Sequence, residues 1–122
     1  SPLRAARELA DGQLARANEV AALLCRLLAG EPVWVELEAQ IADHELAAIG
    51  WMQLVLVDLC RRQQAPSARG PFAEQPALSR LDDADPQQLQ RLYRRLSQLS
   101  RELHDNPGLN KTLQLQRVLT QA

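Results

Sequence analysis

The sequence predicts an all-α protein, and three observations lead to that prediction. The chain has 122 residues, the usual size of one domain with a single hydrophobic core. Apolar residues form 46% of the chain but aromatic residues only 3%, so Leu, Ala and Val must build the core, which favours helices over sheets. Apolar residues also recur at intervals of three and four. We therefore expect one compact domain over residues 1–122, a bundle of about five to six helices.

The first half of the chain predicts four helices. Ser1 and Pro2 are typical of a helix start and Gly12 of the position just beyond a helix end, so a short first helix is expected between them. The second helix, QLARANEVAALLCRLLAG, carries an apolar stripe and stops at Gly30. A third, short helix begins at Pro32 and has apolar residues at helical spacing, namely Val33, Trp34, Leu37 and Ile41.

The fourth helix, from Glu45 to Arg62, is apolar nearly all round and should lie at the centre of the bundle. Gln53 and Asp58 alone interrupt its apolar residues, and Arg61 and Arg62 suit the negative end of the helix dipole. Its most apolar run is shorter than the ~20 residues that span a bilayer. We interpret it as a core helix and expect no membrane association.

A loop and an amphipathic helix follow. The segment QQAPSARGPFAEQPA is rich in Pro and Gly and predicts the longest loop, about 12 residues and long enough to be mobile. DPQQLQRLYRRLSQLSRELHD then predicts a helix with Asp85 as its cap and Pro86 at its first position. Arginines lie outside its apolar stripe, which consists of Leu89, Leu92, Tyr93, Leu96, Leu99 and Leu103.

The final helix follows the break at Asn-Pro-Gly. On a helical wheel Leu109, Leu113 and Leu119 share one side, whereas Leu115 and Val118 point away from Leu109. One neighbour cannot cover all five, so the helix either plugs a groove in its own domain or is shared with another protein, and periodicity leaves both alternatives open. Leu113 is assigned to the inner side. The candidate partner interface consists of Leu109, Asn110, Leu115 and Val118, although capping is the preferred role of Asn110.

The residue types that carry chemistry occur without the spacing that chemistry requires. Cys25 and Cys60 lie in apolar helices and are interpreted as buried reduced thiols. His44 and His104 have no partner at zinc-ligand spacing, and the acidic turn 82–85 lacks the Gly and distal Glu of an EF-hand. No Gly-Lys-Ser/Thr phosphate loop occurs. We predict no catalytic residue, metal site, cofactor or small-molecule ligand.

The net charge and the remaining polar and aromatic residues likewise indicate no catalytic or nucleic-acid-binding site. The net charge is −1, so direct nucleic-acid binding is not expected. The charge is uneven, with a net of −5 over residues 1–59 and +4 over residues 60–122, which fits either complementary solvated faces or a basic interaction patch. Ser97 and Ser100 are interpreted as ordinary serines of a polar helix face. Trp34 and Trp51 are assigned to core packing.

Two segments together resemble a known family. WMQLVLVDLCRRQQ, then a variable loop and a Leu-rich helix, then NPGLNKTLQLQRVL, resemble the carboxy-terminal region of the delta-prime subunits of bacterial DNA polymerase III clamp loaders. The matching positions are Trp51, Leu54, Leu56, Asp58, Arg61 and Arg62 in the central helix and Gly108, Leu109, Asn110, Leu113 and Leu115 at the end. The opening SPLRAARELADG is similar to the segment that follows the ATPase-like module in these subunits. The proline-rich loop matches no motif, so no role is transferred to it.

The resemblance implies a collar domain, which serves oligomerisation in DNA replication. In that family the carboxy-terminal domains of five subunits form a ring, while ATPase-like modules place the sliding clamp on primed DNA for DNA polymerase III. The implied partners are subunits of the gamma/tau and delta types, and the implied location is the cytoplasm. The domain itself is not expected to be an enzyme, although its parent assembly belongs to the DNA polymerase III holoenzyme.

An alternative is a small helical adaptor or secretion chaperone that binds a partner protein. The chain begins at Ser1 without an initiator Met, which favours a carboxy-terminal fragment of a longer protein with an amino-terminal ATPase-like module. A helical enzyme, the third class, would need convergent polar groups in a pocket.

Overall fold

The computed structural model describes Leu3, residues 13–67 and residues 69–121. This part of the chain is all-helical and contains no strand, as the composition predicts. Its helices are α1 (Leu14–Leu28), α2 (Trp34–Ile41), α3 (Glu45–Gln64), a 3₁₀ helix (Pro76–Leu81), α4 (Pro86–Asp105) and α5 (Lys111–Thr120). The expected first helix, with Ser1, Pro2 and Gly12, lies outside the described residues. No helix in the described part of the chain is both long and apolar enough to cross a membrane.

Helix α1 ends at the predicted glycine. Gly30 has φ +98°, the left-handed conformation that glycine adopts without a steric penalty. Its N–H donates to the carbonyl oxygen of Leu27 at 3.0 Å, and the next N–H, from Glu31, donates to that of Arg26 at 3.0 Å. These two bonds form a Schellman motif, which satisfies carbonyl groups at the helix end and turns the chain toward α2.

Helix α3 is the centre of the bundle, as predicted. It packs against α1 on one side and α4 on the other, whereas α1 also contacts α2 and the 3₁₀ helix and α4 also contacts α5. Trp51, Met52 and Val55 are fully buried on α3 and Leu54 is nearly so, which confirms that this helix has no solvent-facing stripe in its middle turns. Helix α5 thus packs mainly on α4 and makes no extensive contact with α3.

The two polar residues that interrupt the apolar run of α3, Gln53 and Asp58, are buried, and both connect the helix to other elements. Gln53 donates from Nε2 to the Ser97 hydroxyl oxygen at 2.6 Å, which joins α3 to α4. Asp58 accepts the Phe72 backbone N–H at 2.9 Å, which joins α3 to the segment that follows it. The interpretation of Ser97 as an ordinary polar-face serine is therefore wrong, because its hydroxyl satisfies a buried amide between two helices.

The proline-rich segment is the longest connection between the described helices, as the sequence predicts, and it is attached to the core. Only residues 65–75 connect α3 to the 3₁₀ helix, which the sequence does not predict. Phe72 from this connection is 1% exposed, and Leu78 and Leu81 of the 3₁₀ helix are also buried. Gln75 caps the 3₁₀ helix by accepting the Ala77 N–H at 3.2 Å. The expected long loop is therefore present, but it does not stand free of the core, because Phe72 within it and Leu78 and Leu81 just after it are buried.

The helix caps at the other end of the chain are those predicted. Asp85 accepts the Gln87 N–H through Oδ1 at 2.9 Å at the start of α4. Asn110 accepts the Leu113 N–H through Oδ1 at 3.0 Å at the start of α5. The leucines of the α4 stripe, Leu89, Leu92, Leu96, Leu99 and Leu103, are all buried. Tyr93 is half-buried and packs at the edge of the core.

Candidate protein interface

The structure places the predicted interface residues of α5 differently from the prediction made on the helical wheel. Leu115 is 0% exposed and lies in the core, whereas Leu113 is 41% exposed. Helix α5 packs on α4 with the side that carries Leu115 and Leu119, four residues apart, and Leu113 is about 200° from Leu115 around the helix axis. The assignment of Leu113 to the inner side and of Leu115 to a partner is therefore wrong.

The other predicted interface residues are partly accessible or have a local role. Leu109 and Val118 are half-buried and pack against the core, so each keeps some surface open to solvent. Asn110 is exposed and its side-chain oxygen caps α5, which confirms the preferred role for it. A contact between any of these residues and another subunit stays a prediction.

The outer face of α4 is basic. Arg91, Arg94 and Arg101 are exposed and lie outside the leucine stripe that enters the core, and Arg95 is half-buried at the edge of that stripe. Arg117 on α5 is also exposed. The ion pairs formed within the described part of the chain involve other residues, so these five guanidinium groups have no carboxylate partner among the described residues.

A cleft of about 240 Å³ lies between α4 and α5, and we refer to it as the α4/α5 cleft. Two arginines, one from each helix, stand beside two apolar side chains in this cleft. Its lining residues are Arg95, Gln98, Leu99, Glu102, Gln114, Arg117 and Val118. Glu102 is the one acidic residue among them and accepts a hydrogen bond from Gln98 Nε2 at 3.2 Å. The cleft thus combines an excess of positive charge with one accessible apolar side chain, Val118, above the buried Leu99.

A second cleft, of about 150 Å³, lies on the other side of Arg95. It is more apolar, because α1, the 3₁₀ helix and α4 all contribute leucines to it. Its lining residues are Leu28, Leu81, Ala84, Gln88, Leu89, Arg91, Leu92, Arg95 and Gln121. Since Arg95 lines both clefts, they form one continuous basic and apolar surface along α4.

The surface near α2 has the opposite charge. Residues 27–57 contain no Lys or Arg but five carboxylates, whereas residues 86–121 contain six basic and two acidic residues. Glu31 is paired with Arg26 at 3.2 Å and also with Arg80. Glu36 and Glu38 are exposed beside Val35, which is 75% exposed. The uneven charge along the sequence therefore becomes an acidic α2 and a basic α4.

A third cleft, of about 240 Å³, is lined by more charged residues, and its arginines form ion pairs within the chain. Asp58, Arg61, Arg62 and Arg69 line it. Arg61 lies 3.9 Å from Asp58, Arg62 pairs with Asp82 at 3.1 Å and Arg69 pairs with Glu74 at 2.6 Å. Burial raises the pKa of Asp58, and the Phe72 hydrogen bond and the two arginines lower it in part. The three arginines therefore all lie near carboxylates of this chain, although the charge of Asp58 is only partly compensated.

The prediction of buried reduced thiols is confirmed for Cys25 and only in part for Cys60. Both are free thiols, and Cys25 is buried while Cys60 is half-buried. Desolvation raises the pKa of Cys25 to about 12, with a small opposing effect of Arg62, and it also raises the pKa of Cys60. Among the described residues no cluster of three or more His, Cys, Asp or Glu side chains could hold a metal ion.

Sequence patterns alone do not predict the α4/α5 cleft. The arginines outside the leucine stripe of α4 are visible in the sequence, but the cleft depends on which side of α5 packs against α4.

Residues 14–122 match the family model described as DNA polymerase III, delta subunit, C terminal. No curated protein and no solved structure shows a significant match to the chain.

Proposed function

The chain belongs to the family of DNA polymerase III delta-subunit carboxy-terminal domains, and from that premise we propose that it is an oligomerisation, or collar, domain of a clamp loader. The observation that carries the proposal is the extent of the match, because residues 14–122 include every helix from α1 to α5. The domain would hold clamp-loader subunits together during DNA replication. It would contribute no catalytic group of its own.

We further propose that the subunit is of the delta-prime type. The support is the resemblance of two segments, WMQLVLVDLCRRQQ in α3 and NPGLNKTLQLQRVL at α5, to delta-prime subunits. The partners would be subunits of the gamma/tau and delta types, and the assembly would act in the cytoplasm as part of the DNA polymerase III holoenzyme. Residues 1–122 would form the carboxy-terminal part of a longer protein that begins with an ATPase-like module.

The structure supports an assembly role through the surface of its outer helices. Helices α4 and α5 bury their leucines internally and still present Leu113, Val118 and two adjoining clefts. Interfaces that form between folded proteins combine an apolar centre with a polar rim in which Arg is enriched. The surface of α4 and α5 has this composition.

The test is reconstitution with the gamma/tau and delta subunits of the same organism. The chain, tagged at its amino terminus, is mixed with gamma/tau and delta without delta-prime and, separately, with gamma/tau and delta-prime without delta. We expect a stoichiometric complex on size-exclusion chromatography in the first mixture only. A complex in the second mixture only would identify a delta-type subunit and contradict the delta-prime assignment.

Absence of a complex in both mixtures, with a chain that is folded by circular dichroism, would reject the clamp-loader proposal. The alternative of an adaptor or chaperone would then be tested by measuring binding of the chain to a candidate partner protein.

A further inference from the structure

The α4/α5 cleft brings two cationic side chains next to an apolar one, and its single carboxylate, Glu102, forms an ion pair with neither of them. Arg95 is half-buried and Arg117 is exposed, and neither forms an ion pair within the described residues. Leu99 is buried and Val118 half-buried beside them. A carboxylate that enters here gains two charged donors in a partly desolvated site without displacing an internal partner.

We propose that the α4/α5 cleft is the docking site for an acidic helix of a neighbouring clamp-loader subunit, whose carboxylates pair with Arg95 and Arg117 while an aliphatic side chain contacts Val118. The inference rests on the proposed function for the identity of the partner. The chemistry of the cleft specifies the rest, because charge complementarity selects an acidic segment and the accessible side chain of Val118 favours one that also carries an apolar residue.

The charges around the cleft favour a protein over a nucleic acid as its occupant. Glu102 lines the cleft itself, and Asp105 is exposed one turn further along α4. A polyanionic backbone would pass these carboxylates and be repelled by them, whereas a protein segment with separated charges avoids them. The net charge of the chain, −1, also gives no long-range attraction for a polyanion.

An acidic helix of the required kind exists in this chain. Helix α2 presents the exposed side chain of Val35 beside the exposed carboxylates of Glu36 and Glu38. Only eight residues are needed to display this combination, since α2 spans Trp34–Ile41. The partner chemistry is therefore compatible with a short helix on the surface of a folded subunit.

The experiment compares Arg95→Glu/Arg117→Glu with Arg94→Glu/Arg101→Glu in the reconstitution assay. The control pair makes the same change of net charge and includes two exposed arginines of α4 that do not line the cleft. We expect the cleft variant to weaken assembly by at least about tenfold and to reduce its salt dependence, while the control variant stays within about threefold of the wild type. Arg95→Lys/Arg117→Lys should retain most of the binding.

Several results would overturn the inference, and they differ from failure of the proposed function. If the wild-type chain assembles and both glutamate variants assemble equally well, or lose affinity equally, the cleft is not the docking site. Sedimentation of the chain alone would detect dimers that the cleft variant abolishes, which would make a second copy the occupant. Fluorescence anisotropy with a single-stranded and a duplex oligonucleotide would detect an affinity that only the cleft variant loses, which would make nucleic acid the occupant.

If the wild-type chain does not assemble, the proposed function fails and the inference with it.

Discussion

Asp58 accepts the backbone N–H of Phe72 through Oδ2 at 2.9 Å, across fourteen residues of sequence. Asp58 is 3% exposed and Phe72 1%, so this hydrogen bond lies within the protein interior. The other carboxylate oxygen, Oδ1, has no hydrogen-bond partner and lies 3.9 Å from Arg61. One buried side chain therefore holds the connection between α3 and the 3₁₀ helix, and it does so with a charge that is only partly compensated.

The buried carboxyl of Asp58 predicts a specific pH dependence of stability. Desolvation raises its pKa above the ordinary value of 3.8, so the folded protein binds this proton more tightly than the unfolded chain does. Between 3.8 and the raised pKa the free energy of unfolding should fall as pH rises, and the loss persists at higher pH. Asp58→Asn keeps an acceptor for Phe72 and does not titrate. Its stability relative to the wild type should therefore increase from about pH 3 to about pH 7.

Urea unfolding of both proteins across this range measures the difference, and the other carboxylates cancel in the comparison. A constant difference between Asp58→Asn and the wild type would show that the folded and unfolded pKa values are equal. A change of opposite sign would show that the Phe72 bond and Arg61 outweigh desolvation.

Gly70 is predicted to be intolerant of any side chain. A Cβ atom built on it would lie 1.7 Å from Asp58 Oδ1, so either the carboxylate or the connecting segment would have to move. We expect Gly70→Ala to cost about 1–3 kcal/mol, as in other overpacked sites. Gly108→Ala is the matched control, because its Cβ would meet Asn106 Oδ1 at 3.7 Å, an ordinary contact.

Thermal unfolding of the two alanine variants distinguishes a local steric effect from a general effect of removing glycine. Gly108→Ala should stay within about 0.5 kcal/mol of the wild type. Equal destabilisation of both variants would contradict the close approach of Gly70 to Asp58.

The helices were predictable because their signals are local. The apolar stripes of α1 and α4, the glycine at position 30 and the caps Asp85 and Asn110 all act within one turn of where they stand. The role of Asp58 was not predictable, since its partner is a backbone group in a segment without periodicity. Phe72 stands among prolines and glycines, and nothing near it in sequence indicates that it completes a core built by distant helices.

Gln53 and Ser97 predict a second tertiary contribution to stability. The Ser97 hydroxyl accepts the Gln53 amide at 2.6 Å, and the remaining contact of that amide, to the Tyr93 carbonyl oxygen, is longer at 3.4 Å. Ser97→Ala should cost about 1 kcal/mol because it leaves the buried amide with its weaker acceptor alone. Ser100→Ala changes the same residue type one turn later, away from Gln53, and should cost less than about 0.5 kcal/mol. Urea denaturation resolves the two, and a larger effect at Ser100 would argue against the Gln53 contact.

The two thiols should react at different rates in the native protein. Burial raises the pKa of Cys25 to about 12, so at about pH 8 almost none of it is thiolate, and its side chain is also inaccessible. Cys60 is half-buried and should be alkylated first. Mass spectrometry of peptides after timed alkylation measures both rates, with a urea-unfolded sample as the control in which the rates converge. Native modification of Cys25 as fast as Cys60 would contradict its burial.

The side of α5 that faces the core illustrates why the candidate interface could be predicted only in part. Leu109, Leu113, Leu115, Val118 and Leu119 form no single stripe, so periodicity does not select the buried side. The buried side is determined by packing against α4, which buries Leu115 and Leu119 and leaves Leu113 exposed. That information lies in the partner helix and in the turn between the two, where Asn110 fixes the first residue of α5.

Leu115 and Leu113 therefore predict opposite outcomes for the same substitution. Leu115→Ala removes a fully buried side chain and should lower the free energy of unfolding by about 2–5 kcal/mol, whereas Leu113→Ala should change it by less than about 0.5 kcal/mol. If α5 also contacts a neighbouring subunit, Leu113→Glu should weaken assembly while the melting temperature stays close to that of the wild type, because a charge at an exposed site is costly only when a partner buries it. Melting curves and reconstitution with gamma/tau and delta subunits are measured in parallel for the three variants. A low melting temperature for Leu113→Ala would show that α5 packs in the opposite orientation, and normal assembly of Leu113→Glu would exclude the outer side of α5 from the interface.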